Sequence, residues 1–292
     1  MSGVTAESSR PERLPPRGPG APGFARNLAQ RVGTALVALP LLLAALVVGP
    51  PWLGLAIVAL ALAIGLNEFY ALVAARGIRP LRLAGALAAA ALFLDVVAPA
   101  WLPFPCGPLG VLVLVGAMLQ RGLDQDGVGA GAATLLGAAY LGVLGGTIGA
   151  QLVLDPVAEG GVRIVLLLGI LLVSDSFAFF VGHAVGRHRL APTISPGKTV
   201  EGALGGLAGG VVGAFLIRQV GLPALPPLHA VGLGIGVAAL GIVGDLAESL
   251  LKRWAGAKDS GTLFPGHGGM LDRLDSLLFG APVLYYYFQL LR

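Results

Sequence analysis

The sequence predicts an all-α, polytopic integral membrane protein with about nine transmembrane helices and a cytoplasmic N-terminus. Three observations predict it. Hydrophobic residues make up 56% of the 292 and charged residues 12%, with a mean hydropathy of +0.85, whereas a soluble domain carries about 25% charged residues. Apolar runs of the length that spans a bilayer, about 20 residues, recur along the chain. The basic residues fall in alternate loops, as the positive-inside rule requires.

Residues 1–30, "MSGVTAESSRPERLPPRGPGAPGFARNLAQ", are polar and rich in Pro, Gly and Arg without a helical period. They read as a disordered cytoplasmic tail. A cleaved signal peptide would place its apolar region nearer the start, so the first apolar run is expected to remain as an anchor. Spans are predicted at 32–49, 52–75, 83–98, 101–119, 131–154, 162–182, 202–221, 228–251 and 276–291. The third and fourth are divided by "DVVAPAWLPFPCGP", which reads as a loop or a broken helix. With the N-terminus inside, sixteen of the nineteen Lys and Arg residues fall on the cytoplasmic side, leaving Arg163, Arg218 and Arg292 outside. The net charge of +4 is therefore explained by topology, and no nucleic-acid partner is expected. The single cysteine, Cys106, has no internal disulfide partner.

Stretches such as "GALGGLAGGVVGAF" and "GAAYLGVLGGTIGA" place small residues at helical spacing, which suits close helix packing in lipid. Ionisable residues inside spans carry more information, because the bilayer penalises them. In "GDLAESLLKRW", Asp245, Glu248, Ser249 and Lys252 stand at i, i+3, i+4 and i+7 and share one helical face. That polar stripe points to a wet cavity, whereas a Glu248–Lys252 pair alone would only steady the helix. Asp175, in "LLVSDSFAFFVGH", lies at the same membrane boundary. After it, "SPGKTVEG" is read as a turn at Ser195, Pro196 and Gly197, with Lys198 and Thr199 offering a cation and a hydroxyl and Glu201 opening the next helix. A Walker loop, G-x-x-x-x-G-K-S/T, would need Gly at position 192, where this chain has Pro192. A helix N-terminus beside a Lys nevertheless suits phosphate. Glu68, in "GLNEFYALV", and Asp95 are single acids; Glu68 is buried beside Asn67 or sits near the inner boundary.

The densest charge lies in "KDSGTLFPGHGGMLDRLD", residues 258–275. Carboxylates mixed with Lys and Arg form the set that a nucleoside triphosphate with Mg²⁺ needs, the acids for the metal and the cations for phosphate oxygens. Asp272 and Asp275 are spaced i, i+3, so one helical turn presents both. The glycines of "PGHGG" let backbone approach phosphate closely. His267 has no second His or Cys nearby, which argues against zinc, and there is no G-x-S-x-G nucleophile elbow.

The run "SLLKRWAGAKDSGTLFPGHGGMLDRLD", residues 249–275, resembles the signature of the phosphatidate cytidylyltransferases, also called CDP-diglyceride synthases. Its pattern is S-x-hydrophobic-K-R, four residues, K-D, then P-x-H-G-G-hydrophobic-x-D-R-hydrophobic-D, and every fixed position matches. "SDSFAFFVGHAVGRH…SPGKTVEG" is similar too, so the resemblance covers about residues 160–292, while the earlier spans agree in hydropathy and at "NEFY". Gly197 and His183 stand where family members often have a second Lys and a basic residue.

The resemblance implies a C-terminal transmembrane catalytic region, 126–292, preceded by N-terminal transmembrane helices, 31–125. It implies conversion of CTP and phosphatidate to CDP-diacylglycerol and pyrophosphate with Mg²⁺, at the cytoplasmic face of a bacterial inner membrane. Asp245 and Asp272 are thereby assigned to the metal, with Asp275 as a third acid, and a second cation stays open. Lys252 and Arg273 join Asp245 and Asp272 as catalytic residues. Asp175, Ser195, Lys198, Thr199, Ser249, Arg253, Lys258 and His267 are the expected substrate-binding set. The partners are CTP, phosphatidate and the bilayer; a homodimer stays open. Two rival readings are a CTP-dependent kinase of a polyprenol or other lipid alcohol, and an ion-coupled transporter using Asp175, Asp245 and Glu248.

Overall fold

The computed structural model describes residues 40–98, 106–121, 125–263 and 268–290. By its packing the chain divides into Met1–Leu43, of which 40–43 are described and helical, and Ala44–Arg292, to which everything below belongs.

The architecture is helical. Helix α1 (Pro51–Ala74) opens with proline in its first turn, where the missing amide is no loss. Helices α2 (Arg82–Val97) and α3 (Cys106–Arg121) follow. Helix α4 (Gln125–Ala138) runs through a π-helical turn (Ala139–Val143) into α5 (Leu144–Ala150). A short 3₁₀ turn (Val157–Glu159) leads into α6 (Gly160–Val185). Then come strands β1 (Arg189–Ala191) and β2 (Ser195–Thr199), and helices α7 (Val200–Gly221), α8 (Pro227–Ala255) and α9 (Leu271–Leu290). Helix α8 stops at Gly256, whose φ of 73° suits a residue without Cβ. The Ala257 and Gly256 amides return to the Lys252 and Arg253 carbonyls at 2.9 and 3.1 Å, closing the last turn.

Among the described residues, five helices are long and apolar enough to cross a membrane: Pro51–Ala74, Gly127–Ala150, Val157–Val185, Val200–Gly221 and Pro227–Ala255. The expectation of about nine is wider than this set. Helices α2 and α3 have 16 residues each, short of the ~20 that span the hydrocarbon. Helix α9 carries Asp272, Arg273 and Asp275 in its first turns. The predicted span at 32–49 lies mostly outside the described residues, as do the 1–30 tail and the 99–105 break between the third and fourth predicted spans.

Helices α6, α7, α8 and α9 pack successively, and their centre is the fully buried set Leu166, Leu167, Ile170, Val237, Leu278 and Leu284. Large apolar side chains also face outward, among them Leu172, Phe180 and Leu204, as a chain solvated by lipid requires. The small-residue stripes are packing surfaces. A Cβ on Gly213 would lie 2.7 Å from the Gly169 carbonyl of α6, and one on Gly234 of α8 would lie 2.7 Å from the Gly210 carbonyl of α7. Side chains there would push the helices apart. This close approach brings Asp175 of α6 and Asp245 of α8 to the same wall as the β1–β2 hairpin.

The hairpin corrects one local expectation. Ser195, Pro196 and Gly197 do not form a turn; they lie in β2, and the turn is Pro192–Ile194. The strands pair antiparallel with Arg189 opposite Thr199 and Ala191 opposite Ser195. Proline is tolerated in an edge strand, and in a two-stranded ribbon both strands are edges.

Candidate functional site

Helix α8 carries the polar stripe as anticipated, but its two halves face different partners. Asp245 faces a cavity of about 530 Å³ walled by α6, the hairpin and the start of α7. Asp175, Lys198 and Thr199 line the same cavity. Lys198 Nζ forms an ion pair with Asp245 Oδ2, both side chains being about one-third exposed. Ser249, one turn further along α8, donates from Oγ to Asp245 Oδ1 at 3.3 Å. Thr199 caps α7: its Oγ1 accepts from the Gly202 amide at 3.1 Å, one of the orphan donors of a helix start. The hairpin that presents Lys198 is fastened by Glu201, whose carboxylate accepts from the Arg187 amide at 3.0 Å and meets His188 Nδ1 at 2.6 Å. Arg253, at the end of α8, reaches the hairpin turn with Nε donating to the Ile194 carbonyl at 3.4 Å.

The other half of the stripe is a buried charge cluster. Lys252 Nζ pairs with Glu248 and donates to Asp272 Oδ1 at 2.6 Å. Glu248 is 1% exposed, and an acid so placed needs a cation beside it. Asp272 Oδ2 accepts from the Ser260 amide at 2.9 Å, the Ser260 hydroxyl at 2.8 Å and the Gly269 amide at 2.7 Å. Burial acts to raise the Asp272 carboxyl, but Lys252 and the Gly269 and Ser260 amides outweigh it and hold it well below the usual range. Asp275 lies between the two halves. Burial and then the Asp245 charge push its carboxyl up to about 7, while Lys252 and Lys198 act against that rise.

The structure thus brings Asp175, Lys198, Thr199 and Asp245 together at one cavity, with Ser249 bonded to Asp245 from the next turn, and Lys252 and Asp272 together at the adjoining loop. Asp245 and Lys252 are seven residues apart on α8, about 10 Å along the axis. Ser195 is half-buried in β2, and Lys258 and Arg273 are exposed. His267 lies outside the described residues.

Two residues carry more weight than the sequence reading gave them. Glu68, from α1, accepts at Oε1 from the Met270 amide at 3.1 Å and at Oε2 from the Leu271 amide at 2.8 Å and the Ser260 hydroxyl at 3.2 Å. The signal for it was a lone acid in an apolar helix. Arg163, away from the cavity, is 1% exposed and donates to the Leu154, Asp155 and Pro156 carbonyls while stacking over Phe288 at 4.8 Å. It holds the turn ahead of α6.

Among the described residues, no group of three or more His, Cys, Asp or Glu side chains closes around a point that could hold a metal ion. The acids among the described residues fit Mg²⁺, which binds through one or two carboxylates and completes its shell with water and substrate phosphate. Asp275, whose carboxyl is raised by burial and then by the Asp245 charge, forms with Asp245 a pair that a divalent cation would relieve.

Residues 29–291 match the model of the cytidylyltransferase family. A phosphatidate cytidylyltransferase of Synechocystis sp. is 33% identical over 293 residues, covering 90% of this chain and 97% of that protein. Proteins of that name from Thermotoga maritima and Bacillus subtilis are 44% and 45% identical, over 45% and 39% of this chain. The matched stretches span about half the length of these two relatives, 51% and 42% respectively. The chain is therefore a helical membrane protein that belongs to the cytidylyltransferase family.

Proposed function

We propose that the chain is a phosphatidate cytidylyltransferase that joins CTP and phosphatidate to give CDP-diacylglycerol and pyrophosphate. The observation that carries this reading is the convergence on α8: Lys198 from the hairpin meets Asp245, and Asp272 from α9 meets Lys252. The names of the Synechocystis, Thermotoga and Bacillus relatives support the same reading.

The lipid phosphate is its own nucleophile. A phosphomonoester with a second pKa near ~6 is largely ionised at neutral pH, so the site needs no protein base. A phosphatidate oxygen bonds to the α-phosphorus of CTP, the bond from that phosphorus to the bridging oxygen breaks, and pyrophosphate leaves. Catalysis is then alignment plus charge neutralisation. Lys198 and Lys252 supply fixed positive charge at two levels along α8, with Arg253, Lys258 and Arg273 at the exposed rim. Ser195, Ser249, Thr199 and His267 would supply hydrogen-bonding groups, and Asp175 lines the cavity together with Thr199. Mg²⁺, when bound, would neutralise triphosphate charge at Asp245 and Asp275. Asp272 would join it only by giving up its bond to Lys252. The distribution of Lys and Arg supports a site at the cytoplasmic face of an inner membrane, with the N-terminus inside and about nine spans in all.

The test uses purified protein in detergent with phosphatidate and CTP labelled at either the α- or the γ-phosphate. α-Label in the lipid and γ-label in pyrophosphate support the reading. γ-Label in a lipid, with CDP released, would make the protein a lipid kinase instead.

A further inference from the structure

Glu68 lies about 200 residues before the loop it touches, on a helix that supplies no wall of the Asp245 cavity. Its carboxylate nevertheless takes the amides of Met270, just ahead of α9, and Leu271, its first residue, together with the Ser260 hydroxyl. Ser260 has one hydroxyl proton and two carboxylates within reach, Glu68 at 3.2 Å and Asp272 at 2.8 Å, and its oxygen accepts from the Asp272 amide at 3.3 Å. The two acids therefore grip the same loop and share the Ser260 hydroxyl. Asp272 holds the Ser260 and Gly269 amides, and Glu68 holds the amides of the next two residues. A negative charge at a helix N-terminus is favourable by itself. A carboxylate accepting several backbone amides is stronger still than a neutral acceptor.

The glycines around this grip show how closely it fits. A Cβ on Gly269 would collide with both Glu68 and Ser260, and one on Gly261 would collide with Glu68. Gly268, at φ 80°, turns the chain between them. Glu68 is 8% exposed, so its charge is directed into the loop rather than into water.

We propose that Glu68 is a positioning residue for cytidylyl transfer. It fastens Ser260, Met270 and Leu271 to α1 and so fixes the start of α9, from which Asp272 meets Lys252. The inference rests on the function proposed above for its kinetic consequence, but not for the fastening itself. It gives the N-terminal helices a task in the reaction without contact to substrate.

The test compares wild type, Glu68→Gln and Glu68→Asp as full chains in detergent, with Asp95→Asn as a control acid elsewhere in the bundle. Hydrogen exchange reads the fastening and steady-state kinetics read its consequence. In Glu68→Gln the amide group turns a donor toward amides that need an acceptor. Exchange at Gly269, Met270 and Leu271 rises by about tenfold or more while residues 245–256 are unchanged. The kcat falls about tenfold or more with the KM for CTP within about threefold. Glu68→Asp, which keeps the charge on a shorter arm, recovers part of both. If Glu68→Gln does not fold, Gly261→Ala probes the same contact from the loop side and is expected to raise the same exchange. Unchanged exchange in the folded variant overturns the proposal, and so does faster exchange with wild-type kcat. A wild type that makes no CDP-lipid refutes the proposed function instead, and the exchange measurement still decides the fastening.

Discussion

Lys252 on α8 and Asp272 on α9 meet at 2.6 Å, and the same ammonium pairs with Glu248 one turn earlier. One cation thus serves two acids in a site where none of the three side chains exceeds 13% exposure. Lys252→Met leaves both acids without it, which costs about 3 kcal/mol when a buried pair is broken. The thermal midpoint in detergent falls accordingly. Adding Glu248→Gln restores much of the stability but none of the transfer activity. A Lys252→Met protein that melts like wild type contradicts the cluster.

Lys198 and Asp245 form the opposite case. Their pair is partly open to solvent, so Lys198→Ala changes stability by less than about 1 kcal/mol. Its effect falls on substrate: the KM for CTP rises about tenfold or more. A destabilised variant with an unchanged KM would assign Lys198 to structure.

Thr199 combines a cap with a place in the cavity wall. Thr199→Val removes the oxygen that accepts from Gly202 and lowers stability by about 1 kcal/mol, whereas Thr199→Ser retains it. Equal melting of the two variants would remove the cap from the account.

Asp275 sets a pH dependence of definite sign. Burial and Asp245 raise its carboxyl to about 7 in the folded protein. The folded state then holds that proton more tightly than the unfolded chain does, so ionisation removes stability as pH rises from about 4 to about 7. Asp275→Asn is therefore more stable than wild type at pH 8, and the advantage fades toward pH 4. Mg²⁺ bound at Asp245 and Asp275, as proposed, would oppose the loss, so it is expected to raise the wild-type midpoint more at pH 8 than at pH 5.5 and to act less on Asp275→Asn. Equal Mg²⁺ effects in both proteins would place the cation elsewhere.

The legibility of this protein in its sequence follows the range of the interactions. The stripe Asp245, Glu248, Ser249 and Lys252 was legible because helical spacing fixes which residues share a face, and the Ser249–Asp245 and Lys252–Glu248 contacts follow that spacing. Its division between two partners was not legible, because Lys198 and Asp272 arrive from separate elements. "SPGK" reads locally as a turn, yet pairing with Arg189–Ala191 draws it into a strand. Glu68 was hidden for a different reason: two of its partners are backbone amides, which carry no side-chain signature. The glycine stripes were legible as packing surfaces, since small residues at helical spacing have few other uses in lipid.

The central claim is that the Lys198–Asp245 cavity and the Lys252–Asp272 loop are two halves of one site. A double-mutant cycle of Lys198→Ala and Asp272→Asn, read as kcat/KM for CDP-diacylglycerol formation, tests it most directly. Groups that act as a unit are strongly non-additive, so the double variant is predicted to be little worse than the poorer single variant. Losses that simply multiply, or an Asp272→Asn protein with wild-type turnover, would contradict it.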